Sequence, residues 1–144
     1  MGSEEDCQRS SEQPNADQDA SLAEPIHGRC LCGNVSITLY NVRPKVDICH
    51  CEMCLRWSGS FLGGLSGDEA RISGEDSVTR FKSSDWAERA FCKNCGSNLW
   101  YCFTPTGHTS YLAGLFDVPA GLGILQQIFV DEKPDWYDLV QKAR

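Results

Sequence analysis

Three groups of cysteines constrain the fold of this chain more than any other feature of its sequence. The segment CHCEMC places three thiols between Cys49 and Cys54, and two pairs, Cys30 with Cys32 and Cys92 with Cys95, are each followed directly by glycine. Thiols this close together form disulfides, bind a metal ion or lie buried in a core. The compartment and the spacing decide between these possibilities.

The first 24 residues indicate in which cellular compartment the protein is expected. They contain seven acidic side chains, one basic side chain and almost no large apolar residue. Because this segment lacks the apolar stretch of a secretory signal, we expect the protein in the cytosol (cytoplasmic) or the nucleus. Thiols stay reduced there, so metal binding is expected in preference to a disulfide framework. The composition predicts a disordered acidic tail over residues 1–24, in which Cys7 has no assigned role, and one folded domain over residues 25–144.

The charge of the chain restricts its partners. Its net charge is −7, of which the first 24 residues carry −6 (seven acids, one base) and residues 25–144 carry −1 (13 acids, 12 bases). Nucleic-acid binding needs clustered lysine and arginine, which residues 25–144 lack, so no nucleic-acid partner is expected. No apolar run reaches the ~18 residues of a membrane-spanning helix, so no membrane association is expected.

Short alternating segments predict a mainly β domain. Apolar and β-branched residues alternate, or cluster between glycine-rich turns, at 35–40, 46–49, 61–65, 78–82, 90–92, 97–103, 110–115 and 126–130. Such segments are typical of short strands in a β fold. A weak helical pattern covers only residues 136–142.

The two cysteine pairs predict a structural zinc site. A glycine after a close pair of thiols permits a tight turn in which backbone N–H groups point at the sulfurs. Two such pairs provide the four thiolates of a closed, tetrahedral zinc site, namely Cys30, Cys32, Cys92 and Cys95. The pairs lie about 60 residues apart in the chain. The ion would therefore tie the opening strand of the domain to its later half.

The remaining group, Cys49, Cys51 and Cys54, predicts a second zinc site of a different kind. Three protein ligands with an open fourth position are typical of catalytic zinc. His50 could close this site as a Cys₃His set, but neighbours in an extended segment point to opposite faces, so we expect it to face away. An iron–sulfur cluster with Cys102 as fourth ligand is the other alternative, although the spacing matches no ferredoxin run.

The ligand set of this second site indicates the chemistry. Three thiolates are soft donors, and the ion they hold favours a further soft ligand such as the thiol of a small molecule. A coordinated thiol is deprotonated, and the thiolate is the nucleophilic form of sulfur. The sequence therefore predicts a reaction that makes or breaks a bond to the sulfur of a small thiol.

Motifs across residues 26–137 resemble those of a known family. The matching segments are Gly28–Gly33, Cys49–Cys54, Arg56–Gly59, Phe91–Gly96 and Gln127–Trp136. With all seven family cysteines in order, the chain is similar to the glutathione-dependent formaldehyde-activating enzymes, a family that includes centromere protein V. Two departures are that Leu55 separates the third cysteine of the CHCEMC motif from Arg56, and that Ser60 and Phe61 follow Gly59.

The resemblance implies a β-tent domain of short antiparallel strands with two zinc ions. It assigns Cys30, Cys32, Cys92 and Cys95 to a structural ion, and Cys49, Cys51 and Cys54 to a catalytic one. It also implies a carbon–sulfur lyase reaction with glutathione as co-substrate, the reversible addition of its thiol to formaldehyde to give S-hydroxymethylglutathione. The departures near Arg56 and Gly59 leave open which aldehyde, or which glutathione adduct, is the substrate.

Other side chains are weaker candidates. Arg56 could bind a glutathione carboxylate bidentately, and Glu52 or His50 could transfer the proton between thiol and alkoxide. Trp57 either walls the pocket or lies in the core. Cys102 is expected to be buried as a small apolar side chain. Asp117 is expected in a turn, and His27 and His108 are assigned no role.

Two functions of different classes follow from these patterns. In the first, the protein is a zinc-dependent carbon–sulfur lyase that joins a small thiol, glutathione, to an aldehyde-like carbon or cleaves the adduct. In the alternative, both zinc ions are structural and the protein is a non-catalytic interaction module that acts through protein partners. The coordination of the second site separates them, because an open position is needed only for catalysis.

Overall fold

The structure, a computed structural model, describes residues 21–140 of the chain. These residues form ten strands and one α-helix. The strands are β1 (Ile26–Arg29), β2 (Ser36–Tyr40), β3 (Lys45–Cys49), β4 (Leu62–Leu65), β5 (Glu69–Ser73), β6 (Val78–Ser84), β7 (Ala87–Cys92), β8 (Asn98–Phe103), β9 (His108–Leu112) and β10 (Gly123–Ile128). The helix, α1, spans Glu52–Ser58, and short 3₁₀ turns lie at Glu75–Ser77, Ala113–Leu115 and Val130–Glu132.

The strands form two sheets. One contains three strands in the order β1-β2-β5, and the other contains seven in the order β10-β3-β4-β9-β8-β7-β6. All neighbouring pairs are antiparallel except β10 with β3, which is parallel. The mainly β fold of short, largely antiparallel strands predicted from the sequence is thus confirmed. The connection after β9 is long enough to return the chain to the far edge of the sheet in the parallel direction.

The core is built from inward-facing residues of both sheets. On β2 the alternation buries Ile37 and Leu39, and on β8 it buries Trp100 and Cys102, with Leu99, at a register shift, also fully buried. The same apolar cluster includes residues of β1, β4 and β9. Burial of these side chains supplies the main stabilising term of the fold. The N-terminal half of the chain and its later strands therefore share one core.

The helix lies where none was predicted. The weak helical pattern was at residues 136–142, but residues 136–140 show no helix. Residues 141 and 142 lie outside the described range. Helix α1 begins at Glu52 because the Sγ atom of Cys51 accepts a hydrogen bond from the Cys54 N–H and caps the first turn. It ends at Gly59, whose φ of 86° is the left-handed conformation that glycine adopts easily. A helix of seven residues presents too few turns for an apolar period to be visible.

The predicted acidic tail falls mainly on residues 1–20, which lie outside the described residues together with Cys7. Of its last four positions, Leu22 packs against the core and donates a backbone hydrogen bond to the Val42 carbonyl at 2.8 Å. Ordered structure therefore begins before residue 25. Within residues 21–140, no helix is long and apolar enough to cross a bilayer.

Candidate metal sites and catalytic cavity

The first cysteine cluster joins two distant turns. Cys30 and Cys32 follow β1, while Cys92 ends β7 and Cys95 lies in the turn after it. The four Sγ atoms all lie within 4.8 Å of one another, with Cys30 to Cys32 at 3.6 Å and Cys32 to Cys92 at 3.8 Å. A tetrahedral zinc ion with Zn–S bonds of about 2.3 Å separates its sulfurs by about 3.8 Å. The cluster therefore fits a structural zinc ion.

The glycines of these turns have the conformation that the sequence predicted for them. Gly33 has φ of 84° and Gly96 has φ of 79°. Both lie in the left-handed region, where a side chain would be strained. The tight turn after β1 lets the Val35 N–H donate to the Cys30 Sγ atom at 3.3 Å. Such N–H···S contacts favour the thiolate form that a metal requires.

The second cluster is assembled by the end of β3 and the start of α1. Cys49 is the last residue of β3, Cys51 caps the helix and Cys54 lies in its first turn. Their Sγ atoms lie within 4.8 Å of one another. The Cys51 N–H donates to Cys49 Sγ at 3.5 Å, and the Cys54 N–H donates to Cys51 Sγ at 3.4 Å. Three thiols that converge in this way fit a zinc ion held by three protein ligands.

His50 faces away from the three thiols, as the alternation predicted. The side chain is fully buried, and its ring stacks on Tyr137 with centroids 5.6 Å apart. Its Nδ1 atom hydrogen-bonds the Tyr137 hydroxyl at 2.7 Å, and its Nε2 atom hydrogen-bonds the Gln127 Oε1 atom at 2.8 Å. Both ring nitrogens are thus occupied, so His50 does not close the site. Among the described residues, no fourth ligand belongs to this cluster.

Cys102 is not part of either cluster. It is fully buried on β8, as expected of a small apolar side chain, and it is absent from both groups of converging thiols. An iron–sulfur cluster with Cys102 as fourth ligand is therefore not the arrangement that these residues adopt.

A buried arginine contacts the second cluster, and the sequence reasoning missed it. Arg89 on β7 is only 3% exposed, and its two terminal nitrogens each lie 3.8 Å from the Cys54 Sγ atom. Its Nε atom donates to the Ser83 hydroxyl at 3.2 Å. The guanidinium lies over the rings of Tyr101 and Trp57, at 4.8 and 5.0 Å from their centroids. Among the described residues, no carboxylate pairs with it, so the thiols are its only anionic partners.

The thiols of this cluster differ in acidity. A hydrogen bond from the Cys49 thiol and, second, the charge of Arg89 lower the pKa of the Cys54 thiol to about 6 despite its burial. The same hydrogen bond, followed by burial, raises the pKa of the Cys49 thiol. In the absence of a metal, Cys54 therefore carries the first negative charge of the cluster.

A cavity of about 640 Å³ opens beside the three thiols. Besides the cysteines, its wall contains polar side chains, namely those of Arg89, Tyr101, Asp47, His108, Ser110 and Gln126. The sheet register brings these side chains together, because Gln126 pairs with Asp47, Tyr101 pairs with Ser110, and Arg89 pairs with Tyr101. Gly64 pairs with Asp47, and a Cβ atom at this glycine would approach the Ser110 Cβ atom to 2.8 Å.

Burial alters the ionisation of the cavity wall. It raises the pKa of the Asp47 carboxyl and of the Tyr101 phenol, and it lowers the pKa of the His108 imidazole. Tyr101 therefore stays protonated at neutral pH and can donate a hydrogen bond. His108, to which the sequence analysis assigned no role, is part of this wall.

The other predicted site residues lie at the cavity mouth or away from it. The Arg56 side chain is 81% exposed and forms an ion pair of 3.6 Å with Glu52, whose side chain is 73% exposed. Glu52 lines the cavity and Arg56 does not. Trp57 does not line the cavity, but its ring packs against the guanidinium of Arg89, which does. Asp117 is exposed, its backbone N–H donates to the His27 carbonyl, and it does not line the cavity.

Comparison with known proteins decides the family. The sequence profile of the glutathione-dependent formaldehyde-activating enzymes matches residues 25–132, which is 108 of the 144 residues. The chain belongs to the glutathione-dependent formaldehyde-activating enzyme family. Both cysteine clusters, Arg89 and Tyr101 lie inside the matched region of this family member.

Relatives and solved structures agree with this membership. A Schizosaccharomyces pombe protein named as an uncharacterized lyase is 36% identical over 119 residues, which cover 81% of this chain and 86% of the relative. A Halomonas elongata protein that carries the family's name is 25% identical over 133 residues, covering 83% of each. A crystal structure from Rhodobacter sphaeroides has the same fold, with a TM-score of 0.53, 19% identity, and coverage of 70% of this chain and 98% of that one.

Proposed function

We propose that this family member is a zinc-dependent carbon–sulfur lyase that joins a small thiol, glutathione in the first instance, to an aldehyde-like carbon or cleaves the adduct. One observation carries the proposal. The thiols of Cys49, Cys51 and Cys54 converge beside a cavity, and no fourth described side chain completes their set. The names of the relatives, a lyase and a formaldehyde-activating enzyme, support the same class of reaction.

The three cysteines would hold the catalytic zinc ion. When bound there, zinc would act as a Lewis acid whose open position accepts a substrate thiol and stabilises its thiolate. Three cysteine thiolates carry one negative charge more than a divalent ion cancels. Arg89 supplies the missing positive charge, since its guanidinium contacts Cys54 and no described carboxylate competes for it.

Tyr101 would stabilise the oxygen of the aldehyde. When the thiolate sulfur attacks the carbonyl carbon, a carbon–sulfur bond forms and the carbonyl oxygen becomes an alkoxide. Tyr101 lines the same cavity and keeps its proton, so its hydroxyl can donate a hydrogen bond to this oxygen. The proton lost by the thiol is balanced by the proton that the alkoxide gains, so the product is a neutral hemithioacetal and the reverse reaction uses the same groups.

Arg56 and Glu52 would act at the mouth rather than at the reacting atoms. Their ion pair is exposed, and an exposed pair contributes little to stability and exchanges partners easily. We place Arg56 as a ligand for a carboxylate of glutathione outside the cavity, with Glu52 holding its guanidinium there in the free protein. His50 keeps the loop between Cys49 and Cys51 in place through its two buried hydrogen bonds.

Exchange NMR with ¹³C-labelled formaldehyde and glutathione tests this proposal, because it reports formation and cleavage of the adduct at equilibrium. The zinc-loaded protein is expected to accelerate the exchange in proportion to its concentration, and Cys54→Ala is expected to remove the acceleration while circular dichroism shows an intact fold. Full acceleration by Cys54→Ala would contradict the mechanism. No acceleration by the wild-type protein with any aldehyde would favour a non-catalytic zinc module.

A further inference from the structure

The mouth of the cavity is surrounded by large apolar side chains. Eleven large hydrophobic residues are exposed in the described part of the chain, and five of them line this one cavity. They are Met53, Trp86, Phe103, Ile128 and Phe129, and they are between 36% and 52% exposed. Exposed apolar groups concentrated at one place mark a binding surface, whereas scattered ones need no explanation.

These five side chains come from separate elements of the fold. Met53 belongs to α1, Trp86 to the turn between β6 and β7, Phe103 to the end of β8, Ile128 to the end of β10, and Phe129 directly follows β10. Phe129 has φ of 57°, a left-handed conformation that is unfavourable for an aromatic residue. Strain of this kind persists where the surrounding structure needs the side chain in one place. Here it brings an aromatic ring to the cavity.

The size of the cavity exceeds what formaldehyde requires. A water molecule occupies about 30 Å³ in the liquid, so a compound of two heavy atoms needs roughly twice that volume. The cavity holds about 640 Å³, which is in the range of sites for much larger ligands. Formaldehyde would leave the apolar surroundings of the thiols without a partner.

The charges of the cavity wall do not match the peptide part of glutathione. Among the described lining residues, Arg89 is the only lysine or arginine, and its guanidinium is directed at Cys54. Three carboxylates, those of Asp47, Glu52 and Glu132, line the same cavity. The two carboxylates of glutathione therefore find no available cation inside. The thiol can enter while the rest of the peptide stays at the mouth, which leaves the apolar space for the other half of the adduct.

We propose that the electrophile is an aldehyde with an aromatic or long aliphatic substituent, and that this substituent occupies the apolar mouth of the cavity. This inference rests on the proposed lyase function and narrows its substrate class. The step balances without an oxidant or reductant. The thiol R–SH adds to the aldehyde R′–CHO, the carbon–sulfur bond forms as the carbonyl π bond opens, and the thiol proton ends on the oxygen of R′–CH(OH)–S–R.

A matched pair of aldehydes tests the inference. Phenylacetaldehyde differs from acetaldehyde by one phenyl ring, and full burial of such a ring changes binding about 10-fold or more. With glutathione as thiol, kcat/KM for phenylacetaldehyde is expected to exceed that for acetaldehyde by at least this factor. Phe103→Ser is expected to reduce the ratio to within threefold of unity. Phe81→Ser removes an equally aromatic, 59% exposed side chain of β6 outside the cavity, and is expected to leave the ratio unchanged.

A binding measurement separates failure of this inference from failure of the proposed function. By calorimetry, S-benzylglutathione is expected to bind the zinc-loaded protein at least 10-fold more tightly than S-methylglutathione, with the difference removed by Phe103→Ser or, should that variant not fold, by Trp86→Ser. Equal binding of the two thioethers, together with equal kcat/KM for the two aldehydes, would overturn the inference and leave the lyase function standing. Selective binding without turnover of any aldehyde would contradict the lyase function alone.

Discussion

The guanidinium of Arg89 lies with both terminal nitrogens 3.8 Å from the Sγ atom of Cys54. This contact joins the middle of β7 to the first turn of α1, 35 residues apart in the chain. The arginine is 3% exposed, and a buried charge is tolerated only with an opposite charge beside it. The three-cysteine cluster and Arg89 therefore form one electrostatic unit, which a divalent ion bound to three thiolates would bring to zero net charge.

Replacing Arg89 by methionine is expected to raise the pKa of Cys54, because a positive charge next to a thiol favours the thiolate. In zinc-free protein, the pH midpoint of iodoacetamide alkylation at Cys54 should move upward in Arg89→Met. Catalysis by the zinc-loaded variant should fall by about 100-fold, the loss of roughly 2.7 kcal/mol of electrostatic stabilisation. Arg71→Met is the matched control, since Arg71 also lies over an aromatic ring but is exposed and does not line the cavity.

Replacing Arg56 is expected to affect substrate binding rather than the chemical step. An exposed guanidinium that contacts only the peptide part of glutathione stabilises ground state and transition state equally. Arg56→Met should therefore raise KM for glutathione several-fold with kcat unchanged. Steady-state kinetics with glutathione as the varied substrate measures this directly. A fall in kcat with unchanged KM would place Arg56 at the reacting atoms.

His50 is expected to be a structural residue. His50→Ala removes a fully buried ring and leaves the Tyr137 hydroxyl and the Gln127 amide without this partner, so it should cost about 3 kcal/mol of unfolding free energy. Tyr137→Phe removes one hydrogen bond and should cost about 1 kcal/mol. Urea denaturation of the zinc-loaded proteins compares them. Unchanged stability of His50→Ala with loss of one zinc per chain would identify His50 as a ligand instead.

The two cysteine clusters are expected to differ in their response to chelation. A site with three protein ligands binds zinc more weakly than one with four, so a chelator should remove the ion held by Cys49, Cys51 and Cys54 first. Activity should be lost at this stage with circular dichroism unchanged. Further chelation should empty the Cys30, Cys32, Cys92 and Cys95 cluster and unfold the domain, since these residues connect β1 to β7. Loss of fold in step with the first zinc would contradict this order.

The spacing of the cysteines predicted both clusters because the chemistry of metal ligands is local. Glycine after each pair, and three thiols in six residues, restrict the turns so strongly that little tertiary information is needed. The direction of His50 followed from the alternation of an extended chain. Short β segments were visible for the same reason, through alternation at segments such as 35–40.

The residues that the sequence could not predict are those placed by long-range pairing. Arg89 lies on β7, but the predicted strand covered only 90–92, so the inward position of the arginine was not apparent. His108 and Asp47 share a wall only because β9 and β3 both pair with β4. Helix α1 was not predicted because its N-terminal capping residue is Cys51, and cysteine is not a typical helix cap. The parallel pairing of β10 with β3 likewise has no local signal.

The open coordination position at the Cys49, Cys51 and Cys54 cluster is the central claim, and X-ray absorption at the zinc edge tests it most directly. The fully loaded protein should contain two zinc ions per chain. Addition of glutathione should raise the mean number of sulfur ligands per zinc, because the second ion gains one sulfur while the first keeps four. An unchanged first shell at saturating glutathione would contradict the account and favour a closed, non-catalytic zinc module.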